Sequence, residues 1–357
     1  MIEKNQDITY KFMATYKESG VDIDLGDKCS AIAYGAAKNT FKGRKGMIGE
    51  PLIDEGGFTG TMDMGDYYLV QNDDGVGTKM AVAEKIKKFD TLGYDLIAMV
   101  ADDAACIGAE CISVSNTIDV NKLDETIVTE MMKGLEKAAL ENNIVVPGGE
   151  IAELGDALNG YVWNATAVGV VEKHKLIRGT NIKPGDKIIG IDSNGFRSNG
   201  MSLVRYVLKQ KFGEDWAFEK YDDTKNWGQA VLAPSIICCS AIMDLHGRYK
   251  QNGIAEIKGV VNVTGGGIPG NIVRVLKRSG VGARLDSLPE TPEMMRKLIE
   301  FGNVPLADAY RTWNMGVGMI IISNDVDRVQ ETFTKRGIKT WVIGKVTEGS
   351  KVEIPGL

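Results

Sequence analysis

One short glycine-containing segment, residues 72–79, constrains the fold of this chain more than any other stretch. It reads Asn-Asp-Asp-Gly-Val-Gly-Thr-Lys, follows the apolar run 67–70 and precedes a helix-like segment at 80–88. Strands and helices joined by glycine turns are typical of α/β proteins, which place ligand-binding loops at these turns. We therefore predict an α/β fold with a binding site where this strand ends.

The residue types in this turn suit a polyphosphate bridged by a metal ion. Asp73 and Asp74 offer the carboxylate oxygens that Mg²⁺ accepts. Gly75 and Gly77 allow the backbone to approach phosphate oxygens closely, and Lys79 adds a positive charge. For these residues alone, an Asp-Gly surface turn followed by a solvated lysine is the alternative interpretation.

The composition of the 357-residue chain is ordinary for a globular protein, with 43% hydrophobic and 25% charged residues and a net charge of −6. This length allows two domains, each with its own core. The mild acidity gives no support for nucleic-acid or anionic-membrane partners. No apolar run reaches about 18 residues, and the charged N-terminus lacks the apolar core of a signal peptide. We therefore expect a cytoplasmic protein that binds neither nucleic acid nor membranes.

Histidine and cysteine chemistry is largely excluded. His174 and His246 are the only histidines, so a histidine triad or a multi-histidine metal site is nearly ruled out. The five cysteines form no C-x-x-C pair, which argues against a zinc site and a disulfide framework. Acid–base and metal chemistry must therefore rest on carboxylates, lysines and backbone groups.

Further carboxylates follow other apolar segments. Asp95, Asp102 and Asp103 can share one face of an otherwise apolar helical segment. Carboxylates embedded in a buried helix need a partner such as a lysine or a metal ion. Glu150 ends a Pro-Gly-Gly-Glu turn, which includes Gly149, after the short buried strand 144–146.

A glycine-rich loop at 43–60 precedes the first motif and contains Gly56 and Gly57. We interpret this loop as a flap over a ligand, with a surface linker as the alternative. A short helix is predicted before it, from Asp27 to Lys38, with Asp27 as the cap.

Two glycine turns in the second half predict anion sites. They are Ser198-Asn199-Gly200 and Gly265-Gly266-Gly267, and each precedes a helix-like segment. A helix that opens on glycine presents backbone N–H groups to an anion such as a substrate phosphate. Gly265, Gly267 and Gly270 also match the dinucleotide pattern G-x-G-x-x-G, but Pro269 crowds the helix start, so we favour the anion site. Ordinary N-capping is the alternative for each turn.

Together these motifs resemble the phosphoribosylformylglycinamidine cyclo-ligase (aminoimidazole ribonucleotide synthetase) family over nearly the whole chain. The matching segments are 74–79, 90–99, 148–153, 198–205, 264–267 and 311–319. The resemblance implies ATP-dependent ring closure of formylglycinamidine ribonucleotide to aminoimidazole ribonucleotide in purine biosynthesis, with release of ADP and phosphate. It also implies a two-domain α/β subunit, with an ATP-binding domain at 1–172 and a second α/β domain at 173–357. The sheet of the first domain is expected to pair with its twin in a homodimer.

The resemblance also implies roles for individual residues. Asp74, Asp103 and Glu150 fall where the family places acidic groups near Mg²⁺ and ATP. We predict Asp103, Lys79 and Asp102 as the catalytic residues, with Asp103 or Asp102 as the candidate for accepting a proton. The expected ATP-binding residues are Gly56, Gly57, Asp74, Gly75, Gly77, Thr78, Lys79, Asp103, Gly149 and Glu150. The expected ribonucleotide-binding residues are Ser198, Asn199, Gly200, Gly265, Gly266 and Gly267.

Several positions near the inferred site depart from the family pattern. Phe89 and Arg197 replace histidines, Asp102 replaces an asparagine and Asn116 replaces an aspartate. Two alternatives to the cyclo-ligase reaction are a phosphoryl-transfer enzyme similar to thiamine monophosphate kinase and an inactive nucleotide-binding paralogue. Joint retention of the carboxylates and lysine named above argues against the inactive form.

Overall fold

The computed structural model describes residues 13–53 and 57–357, which form two six-stranded sheets that follow one another along the chain. The strands of the first sheet lie between Glu50 and Glu172, and those of the second lie between Lys187 and Glu353. The predicted two-part α/β architecture is thereby confirmed. Gly56 of the predicted flap lies outside the described residues.

The first sheet is antiparallel except at one edge. Its strands are β1 (Glu50–Pro51), β2 (Gly60–Asp63), β3 (Tyr67–Gly75), β4 (Glu110–Val120), β5 (Gly149–Glu153) and β6 (Tyr161–Glu172). Their order is β1-β2-β3-β6-β4-β5, and β4 and β5 are parallel. One face of β6 is buried at every second residue, so this face packs against the helices.

The second sheet is also mixed. Its strands are β7 (Lys187–Asp192), β8 (Gly259–Asn262), β9 (Gly282–Arg284), β10 (Val317–Ile322), β11 (Thr340–Thr347) and β12 (Val352–Glu353). Their order is β12-β9-β11-β7-β10-β8. Strand β10 is buried throughout because it lies between β7 and β8 and carries an almost unbroken apolar run.

The described residues contain eleven α-helices. They are α1 (Ile23–Phe41), α2 (Lys79–Ile86), α3 (Leu92–Cys106), α4 (Glu125–Glu141), α5 (Met201–Phe212), α6 (Trp227–Val231), α7 (Cys239–His246), α8 (Gly267–Leu276), α9 (Glu293–Gly302), α10 (Leu306–Thr312) and α11 (Val326–Thr334). No helix in the described ranges is long and apolar enough to cross a membrane.

Helix α3 lies between the two halves of the molecule. Every residue of this helix except Tyr94 and Asp103 is buried. It packs on β3, β4 and β6 of the first sheet, and on α7 and β8 from the second half. Gly93 permits the close approach of α4, since a Cβ there would overlap backbone atoms of Gly134 and Leu135. Side chains on α3 are therefore available to both halves at once.

Helix α1 begins earlier than the sequence predicted. It starts at Ile23 rather than after Asp27, because the side chain of Asp22 accepts a hydrogen bond from the Leu25 N–H at 3.0 Å. Both aspartates are suitable N-cap residues, and the local sequence did not distinguish between them.

Candidate active site

The predicted binding turn lies where β3 ends and α2 begins. Asp74 is the penultimate residue of β3 and pairs with Ala165 of β6. A Cβ at Gly75 would lie 2.7 Å from the carbonyl oxygen of Trp163, so this position requires glycine. Gly77 has a φ of 60°, in the left-handed region that glycine adopts readily. The two glycines thus form the tight turn that the sequence predicted.

The turn brings the carboxylate of Asp74 into electrostatic contact with that of Asp103 on α3. The pKa of Asp103 is raised to about 7, mainly because the carboxyl group is buried. The hydrogen bond from Asn262 Nδ2 to Asp103 Oδ1, at 2.9 Å, lowers this pKa, and the negative charge of Asp74 raises it further. Desolvation also raises the pKa of Asp74. Two neighbouring carboxylates with raised pKa values define a site that a cation would stabilise.

Lys79 does not face the open side of the turn. Its side chain is fully buried, and its Nζ lies 2.7 Å from Asp95 Oδ1 and 2.6 Å from the carbonyl oxygen of Ala233. Burial lowers the pKa of Lys79, whereas Asp95 raises it. In this conformation the ammonium group joins α2, α3 and the second half of the chain, and it is not presented to a ligand.

Asp102 is also enclosed. Its Oδ2 lies 2.7 Å from Arg197, and its Oδ1 accepts hydrogen bonds from the N–H groups of Cys238 and Cys239, both at 2.8 Å. Burial raises the pKa of Asp102 to about 6, and the charge of Arg197 lowers it. Both oxygens of Asp102 have partners. Of the two adjacent carboxylates Asp102 and Asp103, Asp103 is therefore the one that faces the site.

Glu150 is not brought together with the other two predicted metal ligands. Across the sheet, Glu150 of β5 lies opposite Thr117 of β4, and Thr117 lies opposite Asn164 of β6. Asn164 in turn lies opposite Gly75 of β3, so Glu150 is in register with Gly75. Asp74 precedes Gly75 in β3, and successive side chains of a strand point to opposite faces of the sheet. The side chains of Glu150 and Asp74 therefore lie on opposite faces. Three strand spacings separate them, roughly 14 Å. No cluster of three or more potential metal-ligating side chains occurs in the described part of the chain.

The first predicted anion turn, Ser198–Gly200, lies against the Asp74 turn. The carbonyl oxygen of Ser198 is 3.6 Å from the Cβ position of Gly77, and Asn199 Nδ2 is 3.5 Å from the sulfur of Met99 on α3. The Ser198 hydroxyl is buried and has no hydrogen-bond partner among the described residues. An unpaired buried hydroxyl beside the turn is suited to a ligand oxygen.

The second predicted anion turn, Gly265–Gly267, opens helix α8. Gly266 and Gly267 have φ values of 92° and 62°. A Cβ at Gly267 would overlap the carbonyl group of Tyr310, so packing explains this glycine. Among the described residues, none beyond the chain neighbours of Gly265 has an atom within 4 Å of its Cβ position, so nothing there fills that end of the turn.

The flap reaches α8 through Arg274. The Nη2 atom of Arg274 donates to the carbonyl oxygen of Gly57 at 2.6 Å, and its guanidinium carbon lies 4.1 Å from the centre of the Phe58 ring. The charge of Arg274 also lowers the pKa of Asp103. Arg274 is therefore a cation near the paired carboxylates, the position that the sequence had assigned to Lys79.

Sequence reasoning missed Asn262 and Arg274, although each carries a signal. Asn262 is a polar residue in the apolar run Val260–Val263, where a buried amide needs partners. Arg274 occurs in the helix that follows a predicted anion turn.

A cavity of about 750 Å³ extends from the flap along β3. Aromatic side chains from α1 and the flap (Tyr34, Phe41 and Phe58) line it, together with polar groups of β3 (Gln71, Asn72 and Asp73). Mainly apolar pockets with a few polar groups are typical of small-molecule sites. The Asp74 turn lies at the end of the strand that forms this cavity.

The chain belongs to the AIR synthase related protein family. The N-terminal domain of that family matches residues 57–171, and its C-terminal domain matches residues 183–355.

Curated relatives carry one particular name, phosphoribosylformylglycinamidine cyclo-ligase. The protein of that name from Pyrococcus furiosus is 39% identical over 337 residues, covering 94% of this chain and 96% of the relative. The one from Thermococcus kodakarensis is 36% identical over 348 residues, covering 97% and 99%. The one from Methanocaldococcus jannaschii is 37% identical over 348 residues, covering 95% and 94%.

Solved structures share the fold at lower identity. Thiamine-monophosphate kinase from Stenotrophomonas maltophilia has a TM-score of 0.59 at 15% identity, covering 89% of this chain and 95% of that one. The hydrogenase maturation protein HypE of E. coli has a TM-score of 0.58 at 18% identity, covering 81% and 83%. Both confirm the fold.

The burial of Lys79 predicts a loss of stability when its charge is removed. We expect Lys79→Ala to lower the free energy of unfolding by about 3–5 kcal/mol, because Asp95 would remain buried without its ion-pair partner. Lys88→Ala is the control, since its pair with Asp90 is exposed to solvent; it should change stability by less than about 1 kcal/mol. Urea unfolding of the three proteins measures both effects, and equal stability of the two variants would contradict the proposed role of Lys79.

Proposed function

We propose that this protein catalyses the ATP-dependent cyclisation of formylglycinamidine ribonucleotide to aminoimidazole ribonucleotide, with release of ADP and phosphate. The paired carboxylates of Asp74 and Asp103, next to two glycine turns, carry this proposal, because they form a site for a cation and phosphate groups. Identities of 36–39% over nearly full length to proteins named for this reaction support it. A kinase resembling thiamine-monophosphate kinase is less well supported, since that likeness extends only to the fold.

The donor set at Asp74 and Asp103 fits Mg²⁺, which prefers carboxylate oxygens and keeps other positions for water or phosphate oxygens. Bound there with ATP, Mg²⁺ would neutralise charge on the phosphates during transfer. We therefore propose Asp74 and Asp103 as its protein ligands. We give Glu150 no contact with this ion, because its side chain lies on the other face of the sheet.

The protein's contribution to the reaction is to orient the reactants and to stabilise charge. In the first step, the formyl oxygen of the ribonucleotide attacks the γ-phosphorus of ATP, and ADP leaves. In the second, the amidine nitrogen attacks the activated carbon, phosphate leaves with the former formyl oxygen, and a proton is lost. The nucleophile belongs to the substrate, so no activated serine or cysteine is needed. Asp102 is disfavoured as the proton acceptor because both of its oxygens have partners. Asp103 acts as the proposed ligand of Mg²⁺, and the proton leaves with the released phosphate.

We further propose that Arg274 stabilises charge on the transferred phosphoryl group. Its guanidinium interacts with Asp103 and holds the flap at Gly57 and Phe58. Arginine presents several donors in a fixed plane and suits phosphate recognition. Lys79 instead supports the turn from within the core.

We also propose a homodimer formed through the outer face of the first sheet. That face carries an apolar patch on three neighbouring strands, formed by Leu69, Ile112, Val168 and Val170. Val162 lies further along β6, beyond Asn164 and Thr166. Ile112 and Val162 are 41% and 37% exposed. Antiparallel sheets tolerate solvent on one face, but a contiguous apolar patch is typical of an interface.

The reaction is tested by product stoichiometry and by oxygen transfer. We expect one ADP for each imidazole formed, and ¹⁸O from the formyl group of the substrate should appear in the released phosphate. Asp74→Asn should abolish turnover without lowering Tm, because it relieves repulsion from Asp103. Asp90→Asn, at an exposed ion pair, is the control and should retain turnover. Absence of label from phosphate would refute the mechanism.

The role of Arg274 is tested by charge removal. Arg274→Gln should lower kcat roughly 100-fold, the usual effect of removing one group that stabilises transition-state charge. Arg274→Lys should recover part of this loss because it retains the charge. The control is Arg278→Gln, since Arg278 instead donates to the carbonyl oxygen of Arg178 at 3.1 Å. If Arg274→Gln and Arg278→Gln kept equal kcat values, Arg274 would have no catalytic role.

The dimer is tested by sedimentation. Ile112→Glu should convert the protein to monomers, because it places a charge in the proposed interface. Leu140→Glu is the control: Leu140 is 70% exposed on α4, outside the sheet, and its replacement should leave the dimer intact. A monomeric unmodified protein at micromolar concentration would exclude the proposed interface.

A further inference from the structure

The guanidinium of Arg197 is buried where three elements meet. Its Nη1 donates to Asn262 Oδ1 at 2.6 Å and to the carbonyl oxygen of Gly318 at 2.9 Å. Its Nη2 donates to Asp102 Oδ2 at 2.7 Å and to the carbonyl oxygen of Ala98 at 3.1 Å. Arg197 thereby connects α3 to β8 and β10, and four acceptors fix the plane of its guanidinium.

This contact determines which way the amide of Asn262 points. A guanidinium only donates hydrogen bonds, so the amide must direct its oxygen to Arg197 and its NH₂ group to the other side. On that side Nδ2 donates to Asp103 Oδ1 at 2.9 Å. The reversed amide would place donor against donor at Arg197 and acceptor against carboxylate at Asp103. One orientation of Asn262 therefore satisfies both neighbours.

We propose that Arg197 and Asn262 are positioning residues that aim the carboxylate of Asp103, with Asp102 holding Arg197 in place. This proposal rests on the proposed role of Asp103 as a ligand of Mg²⁺. The four residues form a continuous relay, Asp102–Arg197–Asn262–Asp103, with links of 2.7, 2.6 and 2.9 Å. Among the described residues, the hydrogen bond of Asn262 engages only Oδ1 of Asp103, so Oδ2 is the oxygen offered to a cation.

Backbone features of the second half support a built arrangement. Arg197 has a φ of 57°, in the left-handed region that residues other than glycine, asparagine and aspartate seldom adopt. A Cβ at Gly318 would lie 3.3 Å from Cδ of Arg197, so the absence of a side chain there gives the arginine room. Strain of this kind persists where the surroundings over-determine a conformation, and it clusters at functional sites.

The relay also explains two departures from the family pattern. The sequence has Asp102 in place of an asparagine and Arg197 in place of a histidine, and the structure shows that these residues form one buried ion pair. Removing one partner of a buried ion pair is strongly destabilising, so the two residues depend on each other. The pair lies one hydrogen bond from Asn262.

The test separates positioning from stability. Calorimetry of ATP binding over a range of Mg²⁺ concentrations is carried out on the full chain and on Arg197→Met and Asn262→Leu. Both variants should need roughly 10- to 100-fold more Mg²⁺, the usual effect of removing a partner of a metal ligand. Lys258→Met is the matched control: Lys258 and Asp186 form another buried pair at 2.7 Å, which makes no contact with Asp103. The control should lose stability with an unchanged Mg²⁺ requirement.

Three results would overturn the proposal. If the Mg²⁺ requirement of Arg197→Met equals that of Lys258→Met, Arg197 acts only in stability. If Arg197→Met does not fold, Asn262→Leu decides alone, since it leaves the Asp102–Arg197 pair intact, and an unchanged requirement refutes the relay. If ATP binding by the unmodified protein is independent of Mg²⁺, the proposed metal site is wrong and the relay fails with it. The same conclusion follows if Asp74→Asn does not raise the Mg²⁺ concentration needed for ATP binding.

Discussion

Three carboxylates on one buried helix, α3, control how the two halves of this protein fit together. Removing an ion from water costs several kcal/mol even after relaxation, so each carboxylate needs a partner. Asp95 forms an ion pair with Lys79, and Asp102 forms one with Arg197. Asp103 accepts a hydrogen bond from Asn262. The last two partners come from the second half of the chain. Asp102 and Asp103 therefore obtain these partners only when the second half of the chain is folded against the first.

Helix α3 carries two fully buried carboxylates and one that is only partly buried. Asp95 and Asp102 are fully enclosed, and their partners hold the turn and the second half in place. Asp103 is the one acidic residue of α3 that is only partly buried, and the charge of Asp74 at the end of β3 raises its pKa. A rigid framework of buried ion pairs thus supports a site whose own two charges repel each other. Such a site is poised for a cation, because neutralisation relieves the repulsion.

The residues that depart from the predicted family pattern can be interpreted from the side chains that they contact in the structure. Asp102 and Arg197 lie 95 positions apart in the sequence and touch in the structure. Asn116, another departure, accepts a hydrogen bond from the indole of Trp163 at 2.9 Å inside the first sheet. Asn116, Asp102 and Arg197 are thus each held by buried contacts in this structure.

The sequence alone determined the α/β class, the Asp74 turn and the need for partners on α3, because glycine turns, apolar runs and buried charges act locally. It predicted Lys79 as a ligand-binding residue, whereas the structure places Lys79 in a buried ion pair with Asp95. A lysine that follows a glycine turn has the same local pattern in either setting. Only the tertiary structure decided that Asp95 captures Lys79, that Arg274 reaches the flap, and that Glu150 faces away from Asp74. Those outcomes depend on strand order and helix packing between residues far apart in the chain, and no local pattern records them.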